Sequence, residues 1–132
     1  MTSNTCSAYA PIVLRLAISA VYVWFGVSQI TNGASWTGLV PDWATTLSGM
    51  EALTIVHFNG VFEVIAGTLL AIGFYARPIA ALLAAHLFVI TTHIGLTATG
   101  IRDFGLSFAT LSVALFGEDA WCLTRTSETT KQ

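Results

Sequence analysis

Residues 52–98 read ALTIVHFNGVFEVIAGTLLAIGFY, then Ala76-Arg77, then PIAALLAAHLFVITTHIGLTA. Each flanking run reaches or exceeds the roughly 20 apolar residues that carry a helix across a hydrocarbon core about 30 Å thick. The first holds one carboxylate, Glu63, and the second holds two histidines and no Asp, Glu, Lys or Arg. A connection as short as Ala76-Arg77 forces the two runs into an antiparallel hairpin, and Pro78 is free to open the second helix in its first turn. A membrane β-barrel needs alternating apolar and polar residues. AALLAAHLFVI does not alternate, so helices that satisfy their own backbone are expected.

Outward from this hairpin lie two more runs of the same kind. Pro11–Ile30, PIVLRLAISAVYVWFGVSQI, contains a single charge, Arg15, and Phe104–Leu123, FGLSFATLSVALFGEDAWCL, keeps Glu118 and Asp119 near its end. The expectation is an all-α integral membrane four-helix bundle. Its four transmembrane helices fall at about 11–30, 52–75, 78–98 and 104–123, in one domain over 1–132, with polar tails at 1–10 and 124–132. Segment 31–51 carries Asn32-Gly33, Pro41-Asp42 and Ser48-Gly49, which is turn chemistry. Trp36 and Trp43 would hold that segment at the headgroup level. Met1–Ala10 has no basic residue and Arg15 interrupts the apolar run, so the first run reads as a retained span and not a signal peptide.

Composition agrees. Of 132 residues, 55% are hydrophobic and only 9% charged, against about 25% charged in a typical soluble domain. Disorder is excluded by the apolar content. Five Lys+Arg and a net charge of −2 leave no footprint for nucleic acid. Two cysteines, Cys6 and Cys122, are too few for a disulfide scaffold. Four spans place Arg77, Arg125 and Lys131 on one side and Arg102 on the other, which makes both termini cytoplasmic.

Ionisable groups in hydrocarbon turn inward and find partners. Arg15, Ser19, Tyr22, Gly26 and Gln29 share one stripe of the first span. Gly60, Glu63 and Gly67 share a face of the second, with His57 at its edge. His86 and His93 are two turns apart on the third, and Asp103, Ser107 and Thr110 line the fourth. By helical rise, Glu63 and His86 lie roughly 18 and 12 Å from the hairpin end, close enough for a hydrogen bond. Arg15 is shallower and could reach Glu63, or Glu118 and Asp119. Two layers are therefore expected. An inner layer around Arg15, Glu63 and His86 would be either a structural Arg15–Glu63 ion pair that fixes helix register or, with Tyr22, a substrate or proton site. An outer polar cluster would hold His57, His93 and Asp103, joined by hydrogen bonds or water. Asp103 could also cap the fourth helix. No HxxxH, ExxH or CxxCH pattern is present, so neither haem nor a metal site is expected. There is no nucleophile triad or phosphate loop either, so a self-sufficient enzyme of the soluble type is not expected.

Three stretches resemble the DoxX family of small four-span membrane proteins. Leu14-Arg15-Leu16 with Trp24-Phe25-Gly26-Val27-Ser28-Gln29 is similar to its opening helix, with Gln29 where a lysine is usual. Gly60-Val61-Phe62-Glu63, then Gly67 to Gly73 and Arg77-Pro78, is similar to its central hairpin. Gly117 to Leu123 is similar to its closing segment, with Glu118-Asp119 in place of small residues and Thr124 in place of an acid. The resemblance implies a four-helix membrane bundle in a bacterial or archaeal cytoplasmic membrane. It also implies a subunit or partner of a quinone- or thiol-linked redox system, with a membrane or peripheral redox protein, or a second copy of the chain, as partner. No cofactor is required. A quinone would be flanked by Tyr22, Trp24 and Phe62, with Arg15, Glu63 and His86 supplying protons or hydrogen bonds. The alternatives are a proton-coupled small-molecule carrier using Glu63 and a non-catalytic membrane scaffold.

The orientation has a direct test. In intact cells Trp36→Cys should react with an impermeant thiol reagent from outside, and Ser127→Cys only after the membrane is opened. The reverse pattern would reverse the assignment.

Overall fold

The computed structural model describes residues 3–125 and is all-helical among them, with five α-helices and one 3-10 helix. Helix α1 runs Ser3–Thr31, followed by a 3-10 helix, Gly33–Leu39, and a short α2, Asp42–Ser48. Helices α3, Ala52–Ile72, and α4, Ala76–Ile94, form the expected hairpin, and α5 covers Ala98–Phe116. Three helices are long and apolar enough to cross a membrane: Asn4–Thr31, Ala52–Ile72 and Ala76–Ile94. Helix α5 matches α4 in length, but Arg102 and Asp103 in its second turn interrupt its apolar run.

Each boundary has a local cause. The α3 helix stops at Ile72, short of the expected Tyr75. Gly73 adopts a left-handed φ of 71°, its N–H bonds to Leu70 O and the Phe74 N–H bonds to Leu69 O, the pattern of a Schellman stop. Pro78 then occupies the first turn of α4, where no helical donor is missed. Helix α5 begins six residues before the expected Phe104, because the Thr97 side chain accepts from the Gly100 N–H at 3.1 Å and caps it. Asp103 is thus not its cap. The α5 helix also ends early, at Phe116, and Gly117 (φ 86°) turns the chain out of it. At the other terminus, Ser3–Ala10 is helical and not a separate tail. Pro11 sits inside α1 and removes only the hydrogen bond to the exposed Ser7. Lys131 and the rest of 126–132 lie outside the described residues.

The four long helices associate as two tight pairs, α1 with α3 and α4 with α5, and the pairs meet more loosely. Glycine makes the first pair tight. A Cβ on Gly26 would sit 2.5 Å from Gly60 O and 2.8 Å from Val64 N. These are backbone atoms that cannot yield, so the helices touch main chain to main chain. Gly67 opens a second contact, against Tyr22 and Val23. Where the two pairs come together, Ile18, Tyr22, Leu70, Ala80, Leu83 and Val113 form a closed apolar core.

Gly26→Ala should therefore destabilise the fold by about 1–3 kcal/mol, the usual range for overpacking. Gly105, which has open space around it on α5, should tolerate alanine and gain roughly 0.5–1 kcal/mol of helix propensity. Thermal unfolding in detergent should show the two midpoints moving in opposite directions.

Candidate functional site: a polar-floored cavity between the helix pairs

Arg15 does not reach Glu63. It is buried to 1% exposure and closes the other end of the bundle. Its Nε and Nη2 donate to Asp119 Oδ2 and Oδ1 at 2.7 and 3.2 Å, and Nη1 donates to the carbonyls of Leu70, at 2.8 Å, and of Ala71. Those carbonyls lack i+4 helical donors, although Leu70 O also takes the Gly73 N–H, and they belong to the last turn of α3, which carries the negative end of the helix dipole. One guanidinium thus satisfies a helix end and a carboxylate together. Burial works against the Asp119 charge. The Arg15 fork and the Trp121 N–H, at 2.9 Å, outweigh it and hold the carboxyl below the usual carboxylate range. Cys122 joins this site, its N–H donating to the Asp119 carbonyl at 3.2 Å and its thiol interacting with the Asp119 carboxylate. Its Sγ accepts from the Asp119 N–H at 3.3 Å, and burial pushes its thiol up. Cys6 is exposed and both thiols are free.

With Arg15 engaged elsewhere, Glu63 is held by amides. Gln29 Nε2 donates to Oε2 at 2.8 Å, and Asn59 Nδ2 donates to Oε1 at 3.2 Å and to Gln29 Oε1 at 2.7 Å. Glu63 is 2% exposed. Across the seam, His86 Nε2 stands 3.9 Å from Glu63 Oε1. That is too long for a hydrogen bond, and this buried nitrogen has no partner. The Phe62 ring meets the imidazole edge-to-face at 4.9 Å.

This polar group is the floor of a cavity of about 250 Å³ in the loose seam between the helix pairs. Phe25, Val56, Leu87 and Ile90 form its walls, and Leu39, Val40, Pro41, Trp43 and Ala44, before and in α2, form its roof. Trp36 anchors that roof, stacking edge-on against Phe25 at 5.8 Å and donating to Ser28 Oγ at 3.2 Å.

The two expected layers are rearranged. Glu63, His86, His93 and Asp103 all line this one cavity, whereas His57 does not. It packs by Gly33, where a Cβ would meet its Nε2 at 2.8 Å. Asp103 is buried and takes the Arg102 Nε at 2.8 Å, while the Arg102 guanidinium lies 5.0 Å over the Phe25 ring. No group of three His, Cys, Asp or Glu able to hold a metal occurs among the described residues. Tyr22 lies in the core beneath the cavity, with its hydroxyl 3.1 Å from Thr110 Oγ1 and 3.3 Å from Leu83 O. Trp24 faces outward, 63% exposed. Asn59 and the roof were not visible as site residues in the sequence. The signal for Asn59 was its i, i+4 spacing to Glu63.

Arg15→Ala should cost about 3 kcal/mol or more, since it strands a buried carboxylate, and Arg15→Lys should recover only part, because a lysine lacks the fork. The Asp119 pKa is lower folded than unfolded. Its stabilisation is therefore complete above the ordinary carboxylate value of about 3.9 and is lost as pH falls through the lowered value. Acid titrations of unfolding should show that loss in the native chain and not in Asp119→Asn.

No curated protein and no solved structure matches the chain. The sequence model of the DoxX family matches residues 10–98, a stretch that includes Gln29, Asn59, Glu63, His86 and His93 of the cavity, and on that match the chain belongs to the DoxX family.

Proposed function

We propose that the seam cavity binds the ring of a small membrane-borne ligand of the quinone class, and that the chain serves a membrane redox system in that way. The observation that carries this reading is the orphaned His86 Nε2 beside Glu63 at the polar end of an otherwise apolar cavity. A quinone carbonyl oxygen placed beside them would accept from the imidazole N–H, and the hydroxyl of the corresponding quinol would donate to the carboxylate. A cavity of about 150 Å³ accommodates benzene, so about 250 Å³ suits a substituted ring. Val89, on the wall, is 55% exposed on the outer surface, which offers an apolar ligand a route from lipid. Glu63 and His86 are the ligand-facing polar groups in this proposal, with His93 and Asp103 nearer the mouth. Arg15 and Tyr22 support the fold around them. The finer membrane assignment belongs to the same proposal. Helix α5 is the fourth span, and both termini are cytoplasmic, because Arg77 and Arg125 flank the terminal side.

Trp36 and Trp43 line the cavity, so a short-chain quinone should quench tryptophan fluorescence saturably in the purified protein. His86→Phe should weaken binding roughly five- to tenfold, the value of one hydrogen bond in a low-dielectric site, and Trp24→Phe should not. Absence of saturable quenching would overturn the proposal. Proton-coupled solute uptake into proteoliposomes, lost in Glu63→Gln, would favour the carrier reading instead.

A further inference from the structure

We infer that the Glu63–His86 pair communicates with water on one membrane side only, the side of segment 33–51, and is sealed from the side that holds the termini and the α3–α4 turn. The inference concerns access to the pair itself and holds whatever ligand the cavity takes.

The groups facing Glu63 are distributed unevenly along the bundle. From α4 come His86 and His93, from α5 comes Asp103 with Arg102 bonded to it, and all but Arg102 line the same cavity. From α1 come Gln29 and, on the terminal side, Tyr22. Toward the loop side the cavity leads past His93, which is exposed, to Trp43, 55% exposed, and Leu39, 37% exposed. His93 lies in the last turn of α4. The polar groups Glu63, His86, His93 and Asp103 therefore mark one continuous route to the loop-side surface.

Toward the terminal side the route ends. Leu87, 3% exposed, forms part of the cavity wall and belongs at the same time to the closed core. Beyond it lie Leu83 and Leu70 at 0% and Tyr22 at 1%. Tyr22 does not line the cavity, and its hydroxyl bonds to Thr110 and the Leu83 carbonyl and not to Glu63 or His86. Behind this layer Arg15 is fully committed to Asp119 and to the end of α3. A fixed guanidinium at that point also repels a proton moving past it. Protons reach and leave Glu63 through the loop-side mouth, with Asp103 and His93 as its polar lining.

Side-specific thiol labelling in proteoliposomes of the full chain tests this without any ligand. Native Cys6, which is exposed, reports the terminal side, and Leu47→Cys, at a position 85% exposed in α2, reports the loop side. A small cationic, membrane-impermeant methanethiosulfonate should label His93→Cys and His86→Cys from the Leu47→Cys side alone, and Leu83→Cys from neither. Labelling of His86→Cys or Leu83→Cys from the Cys6 side would overturn the inference, and so would a folded His86→Cys protein inert from both sides. Infrared spectroscopy covers the case in which His86→Cys does not fold. In the native chain the bands removed by Glu63→Gln should follow pH on the loop side and ignore pH on the terminal side; a response to terminal-side pH would overturn the inference as well. A one-sided mouth with no quinone quenching would leave this inference standing while refuting the proposed ligand.

Discussion

A buried guanidinium must find acceptors for its donors, and the way Arg15 does so organises the protein. It binds the last turn of α3 through the Leu70 and Ala71 carbonyls and the segment after α5 through Asp119. An unpaired charge in hydrocarbon is costly, so this arrangement fixes α1 against α3 and draws residues 117–124 under the bundle. The docking continues in backbone bonds, with the Leu123 and Thr124 N–H groups donating to Ile72 O and Gly73 O at 3.1 and 3.2 Å. Tyr75, held at φ 45°, donates its N–H to Thr124 Oγ1 at 2.7 Å. The strained start of α4 is thus supported by the same returning chain.

Committing the cation at one end leaves the acid at the other without one. Glu63 is surrounded by amides, an imidazole at ion-pair distance and apolar walls. The glycine contacts that bring α1 and α3 together have a similar two-sided effect. A pair whose main chains touch at Gly26 and Gly60 is narrow, and two narrow, tight pairs leave a gap when they meet through bulkier side chains. The cavity is that gap. Its polar floor comes from one pair through Gln29, Asn59 and Glu63, and from the other through His86.

Much of this is legible in the residues. Hydrophobic runs broken by Ala76-Arg77 mark the hairpin, and the stripes of spans one and two identify the inward faces. Asp119 was among the partners that depth alone allowed for Arg15. Other features escape linear reading for physical reasons. Counting places Arg15 shallower than Glu63, but depth along a helix does not say whether a long side chain extends toward mid-membrane or toward the segment after α5, so both partners stayed open for Arg15. His57 and His93 are at matching depth, yet rotation about α3 turns His57 toward Gly33 and away from the cavity. The limits of α5 depend on Thr97 and Gly117, small polar and flexible positions that sit inside or beside apolar runs and are easily read as part of them.

The partnership between Arg15 and Asp119 spans 104 positions in the chain, and that separation has a consequence for biogenesis. Translation proceeds from the N-terminus, so α1 enters the bilayer with its guanidinium lacking the carboxylate that later neutralises it, and even the α3 carbonyls are made 55 residues afterwards. Until then the arginine must extend its side chain toward the headgroups of the nearer face. Since that face is the one bearing the N-terminus, the unpaired arginine itself tethers α1 to its leaflet while the remaining helices are threaded. The contact that closes the finished protein begins as an anchor for the unfinished one.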